Sequence, residues 1–156
     1  MRFKITKKAT FTLILVVFFV FLDKLFKTLS IKGYLDEPEY ILGDVFSLHF
    51  TKNPNIAFSL PVSGPFLTIF ISIVIFFLIW WWSKLFVKNS KLQTSDPTIY
   101  PLTILLFGAI LNFTDRLKFG YVIDYLDLKY FTVFNVADIM ITGSVFYLIL
   151  ITINKK

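Results

Sequence analysis

The chain contains no cysteine and a single histidine, His49. The first absence excludes disulfides, thiolate metal sites, a cysteine nucleophile and lipidation of this chain on cysteine. The second is nearly as restrictive. His49 has no second histidine, cysteine or acid at ligand spacing, which argues against a metal centre and against a Ser-His triad. Charge is sparse, at 17% of 156 residues. There is no internal repeat and no low-complexity linker, and the long apolar runs show no strict alternation, so they do not read as strands of a membrane barrel. The opening MRFKITKKATFTLILVVFFVF has the basic-then-apolar order of a signal peptide but lacks a small-x-small cleavage site, ending instead in FLDKLFK. It reads as an uncleaved first helix.

What the chain has in excess is apolar side chain: 56% of residues are hydrophobic and 19% aromatic. A soluble domain of this length has too little interior to hide so much. Four nearly uncharged stretches each approach the ~20 residues that cross a hydrocarbon core. The expected fold is therefore membrane all-α, a single domain over residues 1–156, with four transmembrane helices roughly at 9–27, 61–83, 98–115 and 134–153. In the long connection after the first helix, Phe46, Leu48 and Phe50 alternate with Ser47, His49 and Thr51, the period of a half-buried strand. Asn53, Pro54 and Asn55 then supply turn chemistry. A small extracytoplasmic β-sheet region between helices 1 and 2, resting at the membrane surface, is expected there.

A net charge of +6 would suit nucleic acid, but the basic residues flank apolar runs as membrane anchors do. Nine of the 16 Lys and Arg residues fall at the two termini and in the second connection, with Asp96 the one acid among them. The positive-inside rule then sets both termini inside, in a multi-pass membrane protein. Trp80, Trp81 and Trp82 close the second helix at the inner interface.

Two acids stand out on that layout. Asp124, in FGYVIDYLD, closes a short polar connection, and Asp138, in FNVADIMITG, opens the last apolar segment. Acids near lipid are expensive and are candidate functional groups by default. Both fall at the outer boundary, where two carboxyls could share a proton and activate water. Plainer readings stand beside this one. Asn135 with Asp138 three residues on is also an ordinary helix start, and Asp124 alone would be a solvated loop acid. Asn112, Asp115 and Arg116 cluster at the outer end of the third helix, with Asn112 and Arg116 on one face. Arg116 either braces a site or clamps a substrate, or it snorkels to water with Asp115 as partner. Asp23 and Lys27, four apart, either serve the same site or neutralise each other.

Five segments, in order, resemble those of the lipoprotein signal peptidases (signal peptidase II), integral-membrane aspartic proteases that mature bacterial prolipoproteins. LDKLFK resembles the family's Asp-x-x-x-Lys, giving Asp23 and Lys27, and NPNIAFS its external Asn element, giving Asn53, Ala57 and Phe58. GAILNFTDR gives Gly108, Asn112, Asp115 and Arg116; GYVIDYLD gives Asp124; FNVAD gives Asn135, Ala137 and Asp138. The resemblance implies Asp124 and Asp138 as catalytic acids. Asn53, Asn112, Arg116, Asn135, Ala137, Asp23, Lys27 and Asp115 would bind substrate or support the pair, with no metal and no cofactor. It also implies the partners: diacylated prolipoproteins cut before their lipid-modified cysteine, membrane lipid, and globomycin-type peptide inhibitors. Two positions depart from the family pattern, Asn55 and Leu111, where glycine is usual. Asn tolerates a left-handed turn, and Leu111 would alter how the third helix packs. Two other classes remain open from the residues alone: a small proton- or ion-coupled transporter, and a membrane assembly subunit.

Overall fold

One helix, four strands, two helices, two strands and a further helix follow one another along residues 6–56, 60–92 and 96–154, which a computed structural model describes. The elements are α1 (Lys7–Ile31), β1 (Glu39–Leu42), β2 (Phe46–Asn53), β3 (Asn55–Ile56), β4 (Leu60–Ser63), α2 (Gly64–Leu92), α3 (Ile99–Phe119), β5 (Val122–Leu128), β6 (Val133–Phe134) and α4 (Val136–Ile153). Among the described residues, α1, α2 and α4 are long and apolar enough to cross a membrane. Phe18, Phe21, Phe66, Phe76 and Phe146 are each more than half exposed along them. That much bare aromatic surface would aggregate in water and belongs against lipid, so the chain is a membrane protein.

The fourth expected span is the exception. α3 is 21 residues long, about 30 Å at 1.5 Å per residue, but Asn112, Asp115, Arg116 and Lys118 crowd its last turns and dilute its apolarity. One face of it lies deep: Leu102, Leu105, Leu106, Gly108 and Leu111 are buried. Gly108 allows the closest approach, since a Cβ there would stand 2.8 Å from the Ala137 carbonyl oxygen and 3.0 Å from Met140 Cβ. Leu111 takes no part in that contact and instead fills the core beside Ala137 and Met140.

The helices run further than expected. α1 continues to Ile31, and α2 continues past Ser83 to Leu92, where Lys84 stacks on Trp80 four residues back, 4.1 Å from the ring centre. α4 begins only at Val136, because Val133 and Phe134 pair with β5 and Asn135 is its cap.

The sheet is also larger than a unit confined between α1 and α2. Its order is β1-β2-β5-β6, all antiparallel, with β3 and β4 as a separate hairpin. The expected polar connection after α3 is thus a strand, entered through Gly120 at φ 81°, a left-handed helix end that glycine adopts freely. Val122, Ile123, Asp124 and Tyr125 are all buried, so β5 is covered on both faces. β2 keeps only part of its alternation: Ser47 is its buried member, and the register shifts between Leu48 and Thr51. Thr51 lies opposite Asp124 and Asn53 opposite Val122. Two core clusters, Leu35 with Tyr125 and Val136, and Leu111 with Ala137 and Met140, join this sheet to the ends of α1, α3 and α4.

Candidate active site

Asp124 comes from the middle of β5 and Asp138 from the first turn of α4, and Asn135 connects them. Its side-chain oxygen accepts from Asp138 N at 2.9 Å, while its own N–H donates to Asp138 Oδ2 at 3.3 Å, a reciprocal helix cap. Its amide nitrogen turns the other way and donates to Asp124 Oδ1 at 2.6 Å. The helix-start reading and the site reading of Asn135 are therefore two sides of one residue. The free oxygen of each acid has its own amide: Asn53 Nδ2 donates to Asp124 Oδ2 at 2.8 Å, and Asn112 Nδ2 to Asp138 Oδ1 at 2.7 Å.

Beneath them lies a buried ionic layer. Lys27 Nζ is 2.8 Å from Asp23 Oδ2, 2.8 Å from Asp115 Oδ2, and donates to Asn112 Oδ1 at 3.1 Å. Asp23 and Lys27 do pair, but Lys27 also orients the amide that serves Asp138. Asp115 belongs to Lys27 and to Ile123 N (3.4 Å), which overturns its assignment as a snorkelling partner of Arg116. Arg116 instead donates to the main-chain carbonyl of Asn55 and pins the Asn53–Asn55 turn over the site. Asn55, whose N–H donates to Asn53 Oδ1 at 3.1 Å, opens β3. Ala137 is buried and donates its N–H to Asp23 Oδ1 at 3.2 Å. Ala57 and Phe58 lie outside the described residues.

Four carboxyls, those of Asp23, Asp115, Asp124 and Asp138, thus meet two cations among the described residues, Lys27 and Arg116, in a largely buried site. Asp124 is 1% exposed. Burial, and next the charge of Asp138, push its carboxyl up to about 7, against the pull of Asn53, Asn135 and Lys27. A cavity of about 280 Å³ opens over it, lined by the Thr51–Asn55 turn, Asp124, Thr132 and Val133. It has polar and apolar walls. Among the described residues, no group of three or more His, Cys or acidic side chains could hold a metal ion.

Two participants carried no recognisable sequence signal. One is the Asn55 carbonyl, since any residue has one. The other is Tyr125, whose hydroxyl donates to Asp23 Oδ1 at 3.2 Å and accepts from Val136 N at 3.1 Å. A tyrosine beside an acid on a doubly buried strand must point to the opposite face and find a polar partner there. That signal becomes usable only once β5 is known to be a strand.

Comparison with known proteins bears on the family and the fold. The family model for signal peptidase (SPase) II matches residues 15–154. The chain is similar to the lipoprotein signal peptidase of Caldicellulosiruptor bescii, 34% identical over 127 residues that cover 81% of this chain and 80% of the relative. It is also similar to that of Lactococcus lactis, 30% identical over 155 residues, covering 96% and 98%. Two solved structures of bacterial membrane enzymes share the fold. One has TM-score 0.78 at 22% identity, covering 93% of this chain and 88% of the other. The second has TM-score 0.73 at 21% identity, covering 94% and 95%.

Proposed function

Because the chain belongs to the signal peptidase II family, we propose that Asp124 and Asp138 are the catalytic dyad of an aspartic endopeptidase. The function itself is that of the family: removal of signal peptides from prolipoproteins. A transporter finds no support in these relatives. The finer reading covers mechanism, substrate and setting. The substrate is a diacylglyceryl-modified prolipoprotein cut just before its lipidated cysteine, with the lipid held in the membrane and globomycin-type peptides competing for the same space. All of residues 1–156 form one peptidase domain in the inner membrane, with α3 as the fourth span, both termini inside and the dyad outward.

One observation carries the mechanism: a single residue, Asn135, donates to both carboxyls, its side-chain amide to buried Asp124, raised to about 7, and its main-chain N–H to half-buried Asp138. Two such acids hold one proton between them near neutrality, and their titration belongs to the pair. The ionised member takes a proton from water, and the resulting hydroxide equivalent adds to the scissile carbonyl carbon. The protonated member gives its proton to the carbonyl oxygen. Collapse of the tetrahedral intermediate then breaks the C–N bond, with proton delivery to the leaving amine. Arg116 Nε, buried and unpartnered among the described residues, supports a role in holding a substrate carbonyl.

The test is a gel-shift assay of a purified diacylated prolipoprotein. Asp124→Asn and Asp138→Asn keep shape but cannot exchange protons, and each is expected to abolish cleavage while the protein still inserts and folds. Asp127→Asn, three residues along β5 and opposite Ser47, is expected to cleave normally. Near-wild-type turnover in either dyad variant overturns the reading.

A further inference from the structure

We propose that the Tyr125 hydroxyl is a positioning group for the dyad, locking the first turn of α4 against β5 so that Asp138 is held at a fixed separation from Asp124. This inference rests on the dyad reading. The first three N–H groups of a helix have no partner within it, and in a dry site they must find one elsewhere. In α4 each has a different acceptor. Val136 N donates to Tyr125 Oη at 3.1 Å, Ala137 N to Asp23 Oδ1 at 3.2 Å, and Asp138 N to Asn135 Oδ1 at 2.9 Å. The first two acceptors are themselves joined, because Tyr125 donates its proton to that same Asp23 oxygen at 3.2 Å.

Consecutive strand residues point to opposite faces, so β5 presents Asp124 to Asn135 on one side and Tyr125 to the helix start on the other. The strand that carries one acid therefore grips, through the next residue, the turn that carries the other. The ring is anchored independently: it is fully buried and stacked on Phe26 with centroids 5.2 Å apart. Removing the hydroxyl thus leaves the packing in place. It orphans Val136 N–H and frees the turn to shift by the fraction of an ångström that acid–base geometry does not tolerate.

Tyr125→Phe tests this in reconstituted protein, by single-turnover and steady-state cleavage alongside thermal unfolding. The expected result is a fall of about tenfold in kcat and in the single-turnover rate, KM unchanged, and a melting temperature close to wild type. Phe26→Leu, which loosens the ring and keeps the hydroxyl, is expected to do the opposite, lowering the melting temperature with kcat retained. A Tyr125→Phe rate within twofold of wild type overturns the inference. So do rates in the two variants that fall in step with their melting temperatures. Asp124→Asn, run in parallel, separates the levels. If it is inactive while Tyr125→Phe is normal, only the positioning role falls. If it cleaves, the dyad reading falls and takes this inference with it.

Discussion

Substituting Asn135 by serine separates its two duties. Serine caps a helix about as well as asparagine, so the start of α4 survives. It has no amide to reach Asp124, which loses a buried donor at 2.6 Å. A hydrogen bond to a charged group contributes roughly 1.5–3 kcal/mol, so Asn135→Ser is expected to cut turnover about ten- to a hundredfold while the protein still folds and inserts. Wild-type turnover in the gel-shift assay would leave Asn135 as a cap and nothing more. Asp124 makes a second expectation, in pH. Its carboxyl titrates near 7 in the folded chain and near 3.8 when unfolded. Between those values the folded state holds a proton that the unfolded state has released. Stability from this group is therefore fully present below pH 3.8 and is lost as pH rises through 7. Thermal unfolding in detergent is expected to show the melting temperature dropping from pH 5 to pH 8, and Asp124→Asn is expected to flatten that slope. An unchanged slope would mean that Asp124 is not the group responsible.

At the scale of elements, the contact that holds α3 to α4 is narrower than any side chain allows. Gly108→Ala puts a methyl 2.8 Å from the Ala137 carbonyl oxygen, one residue before Asp138. Overpacking of this kind costs about 1–3 kcal/mol, and here it also pushes on the turn that carries an acid. Both stability and cleavage are expected to fall. Gly143→Ala, on α4 with nothing within 4 Å of the added methyl, is expected to leave cleavage unchanged and to hold or slightly raise the melting temperature, as alanine does in a helix interior. Equal melting temperatures for the two variants would argue against the close approach. The same elements mark how far the sequence could be read. α1, α2 and α4 announce themselves as uncharged runs, and β2 by its alternation. β5 was hidden because both its faces are covered: Val122, Ile123 and Tyr125 are buried in succession, so no period of two survives, and one aspartate made the segment look like a loop. The acids and their amides were legible as types in the right order. Their wiring was not, because Arg116 meets a main-chain carbonyl and Asp115 chooses Lys27 over its neighbour.

For the whole molecule, the absence of cysteine makes orientation directly measurable. Single cysteines at Asp36, Ser90 and Lys129 are expected to react with an impermeant thiol reagent from outside at positions 36 and 129 and not at 90. Labelling at 90 would invert the layout and move the proposed dyad to the wrong face. The bonds that assemble the site also span the chain: Asn53 to Asp124 across 71 positions, Lys27 to Asn112 across 85, and Asp23 to Ala137 across 114. Synthesis delivers Asp23 114 positions before Ala137. A ribosome-bound chain that has made α1, α2 and α3 but not α4 thus has one acid of the proposed dyad without its partner and a sheet without β6. Under that proposal the chain stays inert until α4 leaves the ribosome. Pulse-labelled molecules are therefore expected to lag between membrane insertion and first cleavage, and chains cut short before Val136 to insert but never cleave.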